Sequence, residues 1–229
     1  MSTDFSADLK LGVEQLARKL GADLVGVASA AAFEAAPTGH RPRNLLRGAR
    51  SVVVMGVHLL DGALEHAPSR EYSITYRIVN HELDRMAYRI ARFLERQGHR
   101  ALQVPASPPY DVERNMGDLS HRHAGALAGI GVFGKNNLLL SPKYGARMRL
   151  VSVVTDAELE ADVPLDLDLC KDCDACLRTC PSKALTGPGE IDKPACDAYH
   201  VRSGERLQLD TWEQICGVCI RVCPVGSRA

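Results

Sequence analysis

All eight cysteines of this chain lie in its last 60 residues, between Cys170 and Cys223, and the first 169 residues contain none. In a chain with no visible secretory signal, such a concentration of thiols predicts a metal site rather than disulfides. The sequence therefore divides into a cysteine-free body, residues 1–161, and a cysteine-rich module, residues 162–229.

The cysteines follow the spacing of a bacterial two-cluster ferredoxin. The first run is Cys170-x2-Cys173-x2-Cys176-x3-Cys180-Pro181. The second run repeats the pattern with about twenty residues inserted after its first cysteine, and it consists of Cys196, Cys216, Cys219 and Cys223, followed by Pro224. A [4Fe–4S] cubane needs one thiolate for each of its four irons, so eight cysteines predict two clusters with none left over.

In runs of this kind the fourth cysteine ligates the other cluster. The crossed pattern predicts that one cluster is held by Cys170, Cys173, Cys176 and Cys223, and the other by Cys180, Cys196, Cys216 and Cys219. Two zinc sites would need the same number of thiolates. Zinc modules, however, present paired C-x2-C knuckles rather than a triple run followed by Cys-Pro, so the spacing favours iron and sulfur.

The body alternates between helical and strand patterns, which predicts an α/β fold with a small appended module. Val79 to Phe93 has the apolar stripe of a long amphipathic helix, and Ser51 to Leu60 is typical of a buried strand. The 28 basic and 28 acidic residues cancel, which argues against a dedicated nucleic-acid binder. No apolar stretch approaches the roughly 20 residues that a membrane span requires, so we expect a cytoplasmic protein with no membrane partner.

A glycine-rich segment, Gly129-x-Gly131-x-x-Gly134, formally matches the dinucleotide fingerprint. It follows a helical stretch rather than a strand, so the context favours a tight helix-exit turn or a close backbone approach to another ligand. Lys135, Asn136 and Asn137 follow it directly, and Tyr144, Arg147 and Arg149 come soon after. Lysine and arginine near such a turn could hold phosphate or carboxamide groups, although a solvated surface explains them equally well.

Residues 120–159, followed by CKDCDACLRTCP and CGVCIRVCP, resemble the epoxyqueuosine reductase and reductive dehalogenase superfamily, and the resemblance covers nearly the whole chain. It implies a nitroreductase-like α/β sandwich body with a C-terminal ferredoxin-like module. It also implies a corrinoid (cobalamin) bound base-off between the two, with the nearer cluster passing electrons to cobalt. The residues expected to bind that cofactor are His123, Gly131, Gly134, Lys135, Asn136, Tyr144 and Arg149.

The chain departs from this superfamily at the expected proton donor. The tRNA-modifying members carry a Val-Asp-Thr/Ser stretch, whereas here the sequence is Val-Pro-Ala-Ser-Pro over residues 104–108, with no acid before Asp111. The dehalogenases use a tyrosine instead. A reductase needs a proton donor as well as electrons, so Tyr110 and Asp111 are the candidate catalytic residues.

The tRNA-modifying members also continue beyond their clusters into a helical region, whereas this chain ends six residues after Cys223. Together with the zero net charge, this predicts a small-molecule substrate and argues against tRNA. The electron donor would be a ferredoxin, a flavodoxin or a reductase. Two alternatives stay open: an electron-transfer protein or activator for a partner corrinoid enzyme, and a body that has lost its cofactor and serves as a binding module. The oligomeric state is also open.

If Tyr110 donates a proton, Tyr110→Phe should slow turnover while leaving the affinity for the cofactor unchanged, because the ring is kept and only the hydroxyl is lost. Steady-state kinetics combined with a cofactor titration measure the two effects separately. Unchanged turnover would remove Tyr110 from the mechanism.

Overall fold

The computed structural model of the chain describes residues 2–107, 111, 116–209 and 215–227. Helices and strands are interspersed up to residue 155, and only helices follow among the described residues of the cysteine-rich part. In chain order the elements are α1 (Ser2–Lys19), β1 (Leu24–Ser29), α2 (Pro42–Leu45), β2 (Ser51–His58), α3 (Asp61–Leu64), α4 (Arg70–Arg96), β3 (Ala101–Val104), α5 (His121–Leu127), β4 (Val132–Phe133), β5 (Leu139–Leu140), β6 (Met148–Thr155), α6 (Ala175–Thr179), α7 (Lys193–Leu207) and α8 (Val218–Arg221).

The chain forms two compact units, and each is assembled from several stretches of sequence. The first unit consists of Met1–Val57, Asn80–Ile130 and Arg149–Leu165. The second unit consists of His58–Val79, Gly131–Met148 and Asp166–Ala229. The second unit thus contains the cysteine-rich module together with two segments from earlier in the chain. A boundary at residues 161 and 162, as the composition suggests, remains a prediction.

A sheet with the strand order β1-β2-β6-β3 is built in the first unit. β1 and β2 are antiparallel with Val25 opposite Met55, and β3 and β6 are antiparallel with Leu102 opposite Val154. Residues 52–55 of β2 form a continuous run of fully buried apolar side chains. Such a run, without alternation, is typical of a strand that is covered on both faces. The predicted α/β body is therefore confirmed.

Helices α1 and α5 pack against β1, and α4 supplies a buried apolar stripe. The stripe consists of Leu83, Ala87, Ile90 and Leu94, at spacings of four, three and four residues. That spacing places all four side chains on one face of the helix, as the sequence predicts for Val79 to Phe93. The helix is longer than predicted, because it begins at Arg70 and ends at Arg96.

The second unit is built around short elements and small apolar clusters. β4 and β5 form an antiparallel hairpin in which Val132 lies opposite Leu140. One buried cluster joins Leu59, Leu64, Ala67 and Tyr72, and Ile215 and Ile220 pack against it. Two further clusters include Cys180 and Cys223 themselves. The cysteine side chains are therefore part of the apolar core of this unit.

The inserted residues after Cys196 form most of α7, an element that the sequence pattern did not predict. The Asp192 carboxylate caps its first turn by accepting a hydrogen bond from the backbone N–H of Ala195, at 3.0 Å. Pro194 follows in the first turn, where its missing N–H has no helical partner to lose. In the described part of the chain, no helix combines the length and apolarity that crossing a bilayer requires.

We predict that Gly26→Ala destabilises the first unit. A β-carbon at Gly26 would overlap the backbone carbonyl oxygen of Ala128, which cannot rotate away as a side chain could. The expected loss in the free energy of unfolding is about 2 kcal/mol.

Gly62→Ala is the matched control, because no atom lies within 4 Å of a β-carbon there. This position is helical, so alanine should leave stability unchanged or raise it slightly. Thermal unfolding followed by circular dichroism compares the two variants. Equal midpoints for Gly26→Ala and the wild type would contradict the close packing of β1 against α5.

Candidate iron–sulfur centre

Four cysteine thiols line an open cavity with about 300 Å³ of empty space in the second unit. We call these thiols the first set: Cys170, Cys173, Cys176 and Cys223. Asn136, Leu140 and Val225 complete much of the wall. The cavity thus brings together the three cysteines of the first C-x2-C-x2-C run with the last cysteine of the second run, which lies 47 residues beyond Cys176 in sequence.

The local backbone shapes the loop that carries Cys170 and Cys173. The Asp168 carboxylate accepts hydrogen bonds from the backbone N–H groups of Cys170 and Lys171, each at 3.0 Å. A turn closes where the Cys173 N–H donates to the Cys170 carbonyl oxygen at 2.8 Å. Helix α6 starts immediately afterwards and carries Cys176. Two-residue gaps therefore turn the chain tightly enough to present three thiols to one cavity.

The other four cysteines form the second set: Cys180, Cys196, Cys216 and Cys219. Cys196 lies on α7, Cys219 lies on α8, and Cys180 caps the C-terminal end of α6. Cys180 is buried in a small cluster of apolar side chains, and Cys176, Cys196 and Cys219 pack against that cluster. Cys176 of the first set therefore lies next to three cysteines of the second set. The assignment of individual ligands stays a prediction.

Burial makes several of these thiols weaker acids in the protein alone. Burial, followed by the neighbouring thiols of Cys216, Cys196, Cys176 and Cys180, raises the pKa of Cys219 to about 12. Burial and then Asp197 raise the pKa of Cys196 to about 11. At Cys180 burial also raises the pKa, but hydrogen bonds from Ser182 and from nearby backbone N–H groups outweigh it and lower the pKa overall.

This donor set fits iron–sulfur clusters. Among the residues that the structure describes, no three His, Cys, Asp or Glu side chains converge on a site for a single metal ion. Thiolates around a cubane bind different irons at its corners, so they surround a cavity instead of meeting at a point. Iron also displaces the protons of buried thiols, which offsets the cost of ionising them.

Lys135 and Asn136 contact the two ligand loops directly. The backbone N–H of Lys135 donates to Cys170 Sγ at 3.4 Å, and its Nζ donates to the Lys171 carbonyl oxygen at 2.6 Å. The Asn136 amide donates to the Cys219 carbonyl oxygen at 3.5 Å. The sequence predicts these residues to bind a cofactor, and the structure places them where they support the cluster ligands. A role toward a corrinoid stays a prediction.

The glycines of the fingerprint-like segment are required by packing within the β4–β5 hairpin. A β-carbon at Gly131 would overlap the Leu140 carbonyl oxygen, and one at Gly134 would lie 2.7 Å from Leu140 Cδ1. The segment follows α5, which agrees with a helix-exit turn rather than a dinucleotide site. These contacts are with protein atoms, so the expected cofactor role of Gly131 and Gly134 is not tested by them.

The remaining predicted residues lie in different places. Tyr144 belongs to the second unit, where its ring stacks on His58 at 4.7 Å and the Lys143 ammonium lies 4.7 Å from its centroid. Asp111 is exposed and forms a backbone bridge with Met116. Tyr110 lies outside the described residues.

His123 and Arg149 belong to the first unit. Ser120 Oγ lies 2.8 Å from His123 Nδ1, and burial followed by the charge of Arg122 lowers the pKa of this imidazole. Arg149 donates from Nε to Asn80 Oδ1 at 2.9 Å and from Nη2 to the Ala106 carbonyl oxygen at 3.0 Å. Arg149 is thus fixed against the strand-exit segment that precedes the proposed proton donors.

A half-buried histidine, His121, lies beside Arg149, and sequence reasoning did not identify its partners. His121 Nε2 donates to the Pro105 carbonyl oxygen at 2.8 Å, and Nδ1 accepts from the Ser152 hydroxyl at 2.8 Å. Burial lowers its pKa to about 4, so the imidazole is neutral at pH 7. Both ring nitrogens are engaged, so His121 organises the protein and offers no nitrogen to a metal. This structural role follows from the hydrogen bonds of His121 to Pro105 and Ser152, which are distant from it in the sequence.

Comparison with known proteins supports the presence of two [4Fe–4S] clusters. Residues 169–226 match a family described as a 4Fe-4S double cluster binding domain. An epoxyqueuosine reductase of Synechocystis sp. is 30% identical over 211 residues, which cover 86% of this chain and 70% of that protein. One of Synechococcus sp. is 31% identical over 213 residues, and the chain spans 62% of its length, less than two thirds.

Solved structures show a shared fold. One is an epoxyqueuosine reductase with a tRNA-Tyr epoxyqueuosine-modified stem loop, with a TM-score of 0.67 and 21% identity over 96% of this chain and 65% of that one. Another is a reductive dehalogenase whose structure suggests a mechanism for B12-dependent dehalogenation, with a TM-score of 0.71 and 21% identity over 94% of this chain and 31% of that one.

The expectation against tRNA is wrong, because relatives of this chain are epoxyqueuosine reductases and one of the similar structures holds a tRNA stem loop. Net charge was a poor guide for a physical reason. It sums over the whole surface, whereas binding of a short RNA needs only a local arrangement of phosphate contacts.

Double variants test the crossed ligand pattern. Cys176→Ala combined with Cys180→Ala should remove ligands from both clusters and lose nearly all iron, because the two cysteines belong to different sets. Cys180→Ala combined with Cys216→Ala should damage one cluster and keep about half of the iron. Iron analysis and electron paramagnetic resonance (EPR) of the dithionite-reduced proteins measure this. The reverse order of iron loss would establish an uncrossed arrangement.

Proposed function

Because this chain belongs to the epoxyqueuosine reductase family of iron–sulfur oxidoreductases, we propose that it uses two [4Fe–4S] clusters and a base-off corrinoid to reduce an epoxide on a tRNA nucleoside. The observation that carries the proposal is the pair of thiol sets in the second unit, next to a glycine-turn segment that contacts both. Each [4Fe–4S] cluster transfers one electron at a time, so a reductase that carries out a two-electron reaction has to combine two such transfers.

The electron count agrees with this substrate class. Converting an epoxide to an alkene takes two electrons and two protons and releases the oxygen as water. Each [4Fe–4S] cluster carries one electron, so a fully reduced protein holds enough for one turnover. Cys176 of the first set packs against the same small apolar cluster, which contains Cys180, as Cys196 and Cys219 of the second set, and this proximity favours electron passage within the second unit.

The first unit supplies groups that fit a corrinoid. Burial lowers the pKa of the Arg122 guanidinium, and the charge of Arg149 lowers it further, so two cations act on each other there. Such a pair favours a ligand with phosphate or carboxamide oxygens, and a corrinoid carries both. Bound there, the corrinoid would supply a strongly reducing cobalt centre. Arg149 is held in place by Asn80 and by the Ala106 carbonyl oxygen.

The protons would come from Tyr110 or Asp111, in the segment after β3. His121 is an unsuitable donor, because burial lowers its pKa to about 4 and both of its nitrogens are hydrogen-bonded within the protein. Its role would be to hold the Pro105 carbonyl and thereby the start of that segment.

The test is turnover of a defined RNA. Protein purified without oxygen and reconstituted with iron and sulfide is mixed with cobalamin, a low-potential reductant and an RNA stem loop that carries epoxyqueuosine. We expect a nucleoside that has lost one oxygen atom, detected by mass spectrometry after digestion. Cys223→Ala is the control, because it removes a cluster ligand and should abolish the product.

Three outcomes would contradict the proposal in distinguishable ways. Product formation without any cobalamin would remove the corrinoid. Reduction of a small epoxide but not of the RNA would remove the tRNA substrate. Clusters that cycle without any product would favour an electron-transfer protein that feeds a partner enzyme.

A further inference from the structure

A buried arginine in the second unit holds the turn that joins the two sets of cysteines. Arg147 Nη1 donates to the carbonyl oxygens of Ile220, at 3.2 Å, and Cys223, at 2.9 Å. Its Nη2 donates to the Arg221 carbonyl oxygen at 3.2 Å. Arginine is seldom buried unless its donors are used, and here one guanidinium caps the end of α8 and the turn after it.

This turn connects one cysteine of the second set with one cysteine of the first set. Cys219 on α8 belongs to the second set, and Cys223 at the end of the turn lines the cavity of the first set. The three carbonyl groups that Arg147 binds therefore lie on the short path between ligands of two different clusters. A change in this contact would shift a ligand of the first cluster directly.

The charge of Arg147 lies next to a cysteine of the first set, because its Nη1 donates to the Cys223 carbonyl oxygen at 2.9 Å. Arginine keeps its charge under all ordinary conditions. In the part of the chain that the structure describes, the Asp61 carboxylate contacts Arg147: its Oδ1 lies 3.8 Å from Arg147 Nε and 3.3 Å from His58 Nε2.

We propose that Arg147 is a positioning residue that raises the reduction potential of the cluster held by Cys170, Cys173, Cys176 and Cys223. Reduction adds a negative charge to the cluster, and a fixed positive charge in a buried, weakly polar environment stabilises that charge. The partly buried Asp61 carboxylate opposes this effect. The inference rests on the cluster assignment and is independent of the corrinoid and of the RNA.

Arg147→Gln tests the charge while keeping a side chain that can donate hydrogen bonds. Redox titration monitored by EPR, without corrinoid or RNA, gives the potential of each cluster. We expect the equilibrium constant for reducing the first cluster to fall about tenfold or more, which is a shift of about 59 mV to lower potential for one electron. A smaller shift is expected for the second cluster.

Arg178→Gln is the matched control. Arg178 lies between Cys176 and Cys180 and carries the same charge, but its side chain is 71% exposed and pairs with Asp174 at 3.2 Å. Solvent screens an exposed charge, so this variant should leave both potentials nearly unchanged. An equal shift in both variants would show a general effect of net charge and would overturn the specific role of Arg147.

If Arg147→Gln does not retain its iron, Asp61→Asn tests whether the local charge changes the reduction potential of the first cluster. This variant removes the opposing negative charge and leaves the hydrogen bonds of Arg147 to the turn in place. The potential of the first cluster should rise, opposite to the Arg147→Gln shift. No change in Asp61→Asn, or no change in an iron-replete Arg147→Gln, would overturn the proposal, since a purely structural contact would leave the potential where it was.

Discussion

The second unit must hold eight cysteine thiols, two buried and six half-buried, that have to ionise in order to bind iron, and the rest of the unit depends on this constraint. Burial raises the pKa of several of these cysteines, to about 11 at Cys196 and about 12 at Cys219. The protein alone therefore favours neutral thiols, and iron supplies the free energy that ionises them. Because Cys180 and Cys223 are also members of the small apolar clusters of this unit, we expect iron–sulfur assembly and folding of the unit to be coupled.

A small module of this kind has little apolar surface to bury. Two segments from outside the cysteine-rich tail pack with it and enlarge its core. Residues 58–79 and 131–148 join it in the second unit. Lys135, Asn136 and Arg147 from the later segment donate to the ligand loops through a sulfur and several carbonyl oxygens. Lys135, Asn136 and Arg147, three of the polar residues that motivated a cofactor site in the sequence, thus have defined partners on the cysteine loops.

The features that the sequence predicted correctly depend on residues close together in the chain. Two-residue gaps between cysteines, the apolar spacing along α4 and the valine run of β2 are short patterns with one simple physical meaning each. Contacts between distant residues had no such signal: Arg147 meets Cys223 76 residues later, and His121 meets Ser152 31 residues later. The inserted α7 was missed although Asp192 and Pro194 mark its start. The argument against tRNA failed because net charge does not describe a local surface.

The most direct test of the central claim is the EPR spectrum of cob(II)alamin mixed with the oxygen-free protein. Free cobalamin at neutral pH keeps its lower nitrogen ligand, which splits the cobalt lines. If the protein binds cobalamin base-off, the nitrogen splitting should disappear when cobalamin is mixed with an equimolar amount of protein. A spectrum identical to that of free cobalamin would contradict the claim, and the two clusters would then serve another acceptor.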